Sequence, residues 1–294
     1  MLEIKPGKYK DLSNEEYHSH TDSISRSAIM DFAVSPKKYW ANYLNPERVK
    51  KESTDAMLFG ELFHQLILEP EKFYSENSLQ YISIPMPEVG LLKNIGREEY
   101  DRQKSALRDA EKLDCELLSA WLLKNKGKYS IRQKEYELLS VMKESIYKNK
   151  QAHEFLTEGE NEVSYFWNDP ETGLLLKARP DVLYDTVCVD LKTCKDASPR
   201  AFQRAMCDGG YHIQAAMIID AVKAVDNREI SSFVNIAIEK EYPYAIGIYI
   251  LDQAAIDSGR EKYKRILKEM KIAREKNEWS DYPTQVIGLP GWYE

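Results

Sequence analysis

Apolar residues recur at helical spacing, and over most of the circumference, through 55–69 (DAMLFGELFHQLILE), which predicts a largely buried helix closed by Pro70. Two further helical patterns, 97–124 and 132–155, are strongly charged and rich in Leu, and Asn125, Lys126 and Gly127 join them as a hairpin or helical subregion. After 160 the period shortens to two. The runs 161–168, 174–184 and 187–193, with a turn over Asp169–Gly173, predict a three-stranded antiparallel meander. A helix over about 199–225, interrupted at Gly209 and Gly210, then precedes strands at 232–239 and 244–251 and a final helix at 252–277. At the other end, Ser25 or Ser27 caps a short helix through Met30 and Phe32 that stops at Ser35 and Pro36. Prolines 85 and 87 with glycines 90 and 96 mark 84–96 as a lid or a plain connector. Strands, helix, strands, helix describe an α/β sandwich, with the earlier helices packed on or beside it.

Composition narrows this only by exclusion. With 43% hydrophobic and 30% charged residues in 294, the chain is neither disordered nor fibrous and can build a real core. No stretch approaches the ~20 apolar residues of a membrane span, and the first residues lack the layout of a signal peptide, so a cytoplasmic protein is expected. Four cysteines without a CxxC pair predict no disulfide framework and no zinc or iron-sulfur cluster. Forty-one basic against 48 acidic residues give a net charge of −7, which repels a polyanion unless a local patch receives it. One basic run, 260–276, is either such a patch or a solvated helix face.

The chemistry concentrates at Pro180-Asp181 and, after eight intervening residues, Asp190-Leu191-Lys192. Residues i and i+2 of a strand share a face, so Asp190 and Lys192 point the same way. Clustered carboxylates repel unless a divalent cation neutralises them, and Mg²⁺ takes such hard oxygen ligands. The pattern alone also suits two solvated strand-end acids with a surface ion pair. The apolar run Val187-Cys188-Val189 before Asp190 argues for burial, which an unpartnered carboxylate and ammonium would not tolerate.

The string 177–217 (KARPDVLYDTVCVDLKTCKDASPRAFQRAMCDGGYHIQAAM) resembles the PD-(D/E)xK core of the RecE-type exonucleases, also called exodeoxyribonuclease VIII and found on prophages. Upstream, 12–18 (LSNEEYH), 24–40 (ISRSAIMDFAVSPKKYW) and 59–70 (FGELFHQLILEP, with GxxxH) resemble further parts of the same family in the same order. The resemblance implies a restriction-endonuclease-like α/β core, a mixed sheet flanked by helices with an additional helical region. One domain would then comprise a DNA-end-binding segment (1–54), a core helix with the segment after it (55–84), a helical insert (85–156) and a catalytic sheet with the C-terminal helix (157–294).

Carried over by position, the family pattern makes His64, Asp181 and Asp190 ligands of Mg²⁺, with Mn²⁺ an alternative, and adds the backbone carbonyl of Leu191. Lys192 becomes the catalytic lysine, and Gln214 the glutamine that comes after the core. Ile218 stands where the family's QxxxY tyrosine belongs, so Tyr211 or His212 is a candidate substitute. Glu162 is a candidate second-metal ligand or a solvated acid. Ser25, Arg26 and Ser27 suit a 5′ phosphate at a helix N-terminus, or simply form a cap and then an exposed arginine. The implied activity is 5′ to 3′ digestion of duplex DNA, leaving 3′ single strands for phage-type recombination. The implied partners are DNA ends, further copies of the chain in a homo-oligomeric ring, and a RecT-type single-strand annealing protein. A structure-specific or restriction-type endonuclease, or a non-catalytic DNA-binding module on the same fold, are the rival readings.

Overall fold

The computed structural model describes residues 4–48, 53–83 and 97–289. Its N-terminal part holds β1 (Gly7–Tyr9), α1 (Asn14–Ser19), α2 (Arg26–Val34), α3 (Pro36–Tyr39), a π-helical turn at Trp40–Leu44 and α4 (Asp55–Leu68). Next come α5 (Pro70–Glu76), β2 (Asn77–Leu79), α6 (Arg97–Lys124), β3 (Tyr129–Ile131), α7 (Gln133–Lys148) and α8 (Lys150–Thr157). The C-terminal part comprises β4 (Glu160–Asn161), β5 (Ser164–Asn168), β6 (Leu175–Ala178), β7 (Val182–Leu183), β8 (Val187–Cys194), α9 (Pro199–Gly209), α10 (Tyr211–Asp226), β9 (Ser232–Glu239), β10 (Ile246–Ile250) and α11 (Gln253–Lys276). Two compact units result: 1–68 with 142–294, and 69–141. The run 84–96, and with it the whole of the expected lid or connector, lies outside the described residues.

The larger unit carries two sheets. One is antiparallel, in the order β1-β5-β6; the other is mixed, β10-β9-β8-β7-β4, with β8 and β9 parallel and every other pairing antiparallel. The expected meander is therefore wrong in one respect: the run 174–184 splits between the sheets. Arg179, Pro180 and Asp181 separate β6 from β7, and proline has no N–H to give a ladder. The run 132–155 also breaks, because Asn149 leaves helical geometry and its side chain caps α8 through Ala152 N at 3.0 Å.

The core lies where α2, α10 and α11 meet the sheets, with Ile29, Phe32, Trp167, Leu176, Ile213, Met217, Phe233, Tyr263 and Leu267 buried in one cluster. Helix α11 lies tight on α10. A Cβ at Gly259 would stand 2.2 Å from the His212 carbonyl oxygen, so no larger residue fits there. Gly210 (φ 65°) makes the predicted break between α9 and α10 in a left-handed conformation that glycine adopts at little cost.

Four of the eight cations of the basic run bond to partners within the fold. Arg260 bonds to Asp220 at 2.9 Å, Lys264 to Asp169, Lys268 to Glu171 at 2.7 Å, and Arg274 to the Tyr39 hydroxyl. These cations, spaced along α11, tie it to the turn after β5, to α10 and to α3. In the smaller unit β2 and β3 pair in parallel, and Tyr81 bonds to Asp114 of α6 at 2.7 Å. No helix of the described residues is long and apolar enough to cross a membrane.

Candidate active site and metal centre

Strand β8 is flanked on both sides by partners, so its centre is buried, and Asp190 retains only 1% of its surface. Asp181 stands where the chain passes from one sheet to the other. With Val182 paired to Val189, it reaches the middle of β8, and its Oδ2 accepts from Leu191 N at 2.6 Å. That contact occupies the N–H of Leu191, the residue whose carbonyl the family pattern adds to the metal site. Helix α4 brings in His64, whose Nδ1 is 3.5 Å from Asp181 Oδ2. One turn earlier, a Cβ at Gly60 would meet Thr193 Oγ1 at 3.7 Å, an ordinary contact distance that places α4 beside β8.

Glu162 joins them. Its φ of 51° is a left-handed conformation that costs a non-glycine residue of order 1 kcal/mol or more, and its N–H bonds to the Asp181 carbonyl at 3.1 Å. Ligand atoms of His64, Glu162 and Asp181 all lie within 4.8 Å of one another. Two hard carboxylates and an imidazole at that spacing fit Mg²⁺ or Mn²⁺, which would relieve their repulsion. Arg179 stands behind Glu162, with Nη1 4.0 Å from its Oε2, while its other nitrogens hold Ser164 Oγ at 2.8 Å and Leu12 O at 2.9 Å.

On the adjoining face Lys192 Nζ lies 2.5 Å from Asp190 Oδ2, and Gln214 Nε2 donates to Asp190 Oδ1 at 2.7 Å. The Tyr211 ring centroid is 5.1 Å from the same ammonium, within cation–π range. Ile218, at the expected tyrosine position, is buried in the core, so Tyr211 is the aromatic residue beside the lysine. His212 instead places Nδ1 3.3 Å from the Met206 carbonyl.

Burial pushes the Asp181 carboxyl up, and the Asp190 charge adds to this against the opposing pull of His64, Lys192 and the Leu191 N–H. Burial alone would lower Lys192, but the charges of Asp190 and Asp181 outweigh it and raise its proton affinity.

Ser25 caps α2, its side chain accepting from Ala28 N at 3.3 Å, and Ser27 is exposed. Arg26 donates to the Gly209 carbonyl at 2.6 Å, and its charge is felt at Lys192. The cap and the arginine contact both have structural partners within the chain, and Arg26 also lies within electrostatic reach of the site.

A twisted mixed sheet with helices on its faces and acids converging at its broken strand is the architecture of the PD-(D/E)xK nuclease superfamily. Residues 25–286 match the family described as "PDDEXK-like domain of unknown function (DUF3799)", and the chain belongs to that family. Its fold is similar to the crystal structure of a "Putative exonuclease" from Eubacterium rectale, with a TM-score of 0.57 and 16% identity over 94% of this chain and 96% of that one. A weaker likeness, to SSO0001, has a TM-score of 0.26 and 15% identity over 45% of this chain and 58% of the other. No curated protein matches the chain in sequence.

Proposed function

We propose that the protein is a RecE-type, metal-dependent DNA exonuclease that digests duplex DNA from 5′ ends and leaves 3′ single strands for phage-type recombination. The observation that carries hydrolysis is the meeting of His64, Glu162 and Asp181 beside the Asp190–Lys192 pair, residues drawn from α4, the approach to β5, the break before β7, and β8. His64, Glu162, Asp181 and Asp190 would hold the cation. When bound, Mg²⁺ or Mn²⁺ supplies a polarised water and offsets charge at the phosphate. Lys192, kept in place by Asp190, donates toward the scissile phosphate and stabilises the negative charge that develops there. Gln214 holds Asp190 from the other side, and Tyr211 walls the ammonium. One water is added and one phosphodiester bond breaks for each nucleotide released.

Polarity and preference for duplex ends come from the resemblance, as do a ring of subunits and a RecT-type annealing partner, while a cytoplasmic setting rests on the sequence reading of cysteines and of the first residues. Ser25, Arg26 and Ser27 are the proposed contacts to the 5′ phosphate. The test incubates purified protein and Mg²⁺ with linear duplexes labelled at either end, beside a covalently closed circle. The 5′ label is expected to be released first, with the circle intact. Rapid nicking of the circle would make the protein an endonuclease. No hydrolysis with Mg²⁺ or Mn²⁺ would make it a binding module.

A further inference from the structure

Asn235 sits in the middle of β9 with no exposed surface. Among the described residues, neither its Nδ2 nor its Oδ1 has a hydrogen-bond partner. Burying an amide this way is costly, and a β-branched apolar residue would fill a central strand without that cost. Its place in the sheet shows what the amide is near. The parallel ladder pairs Asn235 with Asp190, and the antiparallel ladder pairs it with Tyr249. Paired residues share a face, so Asp190, Asn235 and Tyr249 form one row.

The Tyr249 side of the row is closed, its ring stacked on Phe202 at 4.4 Å and its hydroxyl bonded to the Ala197 carbonyl. On the other side stands the Asp190 carboxylate, with Gln214 Nε2 on its Oδ1. Gln214 Oε1 is itself buried without a donor among the described residues. An amide NH₂ and an amide oxygen are complementary.

We infer that Asn235 is a positioning residue whose NH₂ donates, across one water molecule, to Gln214 Oε1. That bond fixes the Gln214 amide with its NH₂ turned to Asp190. The opposite orientation would set oxygen against carboxylate and turn Asp190 away from Lys192. The role rests on the nuclease reading above, and it adds a residue from a strand that carries none of the motif positions.

Asn235→Val and Asn235→Thr are near-isosteric and differ by one hydroxyl, so together they separate polarity from packing. In Asn235→Val, kcat on a linear duplex is expected to fall about 10- to 100-fold, the usual loss for a residue supporting a metal ligand, with KM within about 2-fold. Asn235→Thr should stay within about 5-fold of wild type, since it keeps a donor. The Val variant should melt no lower than wild type. Adding Asn235→Val to Gln214→Met should slow the enzyme no further than Gln214→Met alone, because the first acts through the second. Wild-type kcat in the Val variant, equal kcat in Val and Thr, or additive losses would each overturn the inference. If the wild-type protein hydrolyses nothing, the nuclease reading fails by itself, and Mn²⁺ titration followed by electron paramagnetic resonance decides this one. Affinity weakened about 10-fold in Val and restored in Thr supports it, and equal affinities overturn it.

Discussion

Two lysines, one in each sheet of the larger unit, are held in opposite ways. Lys177 of β6 is 5% exposed, donates to the carbonyls of Tyr17 at 2.6 Å and His20 at 2.8 Å, and lies 4.6 Å from the Tyr17 ring. Burial, helped by Arg179, lowers its proton affinity to about 8. Lys192 of β8 is also largely buried, but it faces Asp190 and Asp181, and its proton affinity rises. Burial therefore does not decide what a buried cation does. The groups around it do: carbonyls make Lys177 a pin for the N-terminal segment, while carboxylates hold Lys192 as a charge ready to meet a phosphate.

The largest expected effect separates the two in rate. Lys192→Ala should lower nuclease activity by a factor on the order of 10³ or more, measured by release of labelled nucleotide with Mg²⁺ present. Retained activity would remove the lysine from the site. Lys177→Ala should do the reverse. Leaving two carbonyls without their donor is expected to cost about 1–3 kcal/mol in a denaturant titration, while kcat of the folded fraction stays close to wild type. A loss of rate as large as that of Lys192→Ala would abolish the contrast.

A further effect is one of pH. Lys177 binds its proton less tightly when folded, at about 8 against 10.5 for the ordinary group, so between these values the unfolded chain carries more protons. Stability should therefore rise with pH across that window, and the burial penalty should be fully present below about 8. The difference in unfolding free energy between wild type and Lys177→Met, measured from pH 7 to 10.5, isolates this contribution. A flat difference would mean that the ammonium is better solvated than its surroundings indicate.

Local patterning was enough for what is local. Helical periodicity marks 97–124, two glycines mark the break at 209–210, and a short apolar run marks 232–239, because each depends on neighbours within one turn or one strand. The split of 174–184 was not legible: apolar alternation is the same whichever sheet receives the strand, and only Pro180 hinted at the division. At the site, Asp190 and Lys192 share a face by arithmetic, whereas His64 and Glu162 join Asp181 only through the fold. Nothing in the sequence announced the left-handed backbone that turns Glu162 inward. Asn235 hid in an apolar strand, visible only as the one polar letter between the ends of SFVNIAIE. In the basic run on α11, read as a patch or a solvated face, four of the cations bond to partners within the fold, which only the tertiary structure reveals.

The bonds from Lys177 to Tyr17 and His20 span 160 and 157 residues of chain. During synthesis, the carbonyls of Tyr17 and His20 therefore lack this anchor until β6 has left the ribosome, and long-range pairing of this kind is slow. Nascent chains stalled before Lys177 emerges should leave 12–24 open to a protease, and chains stalled well beyond it should protect that stretch.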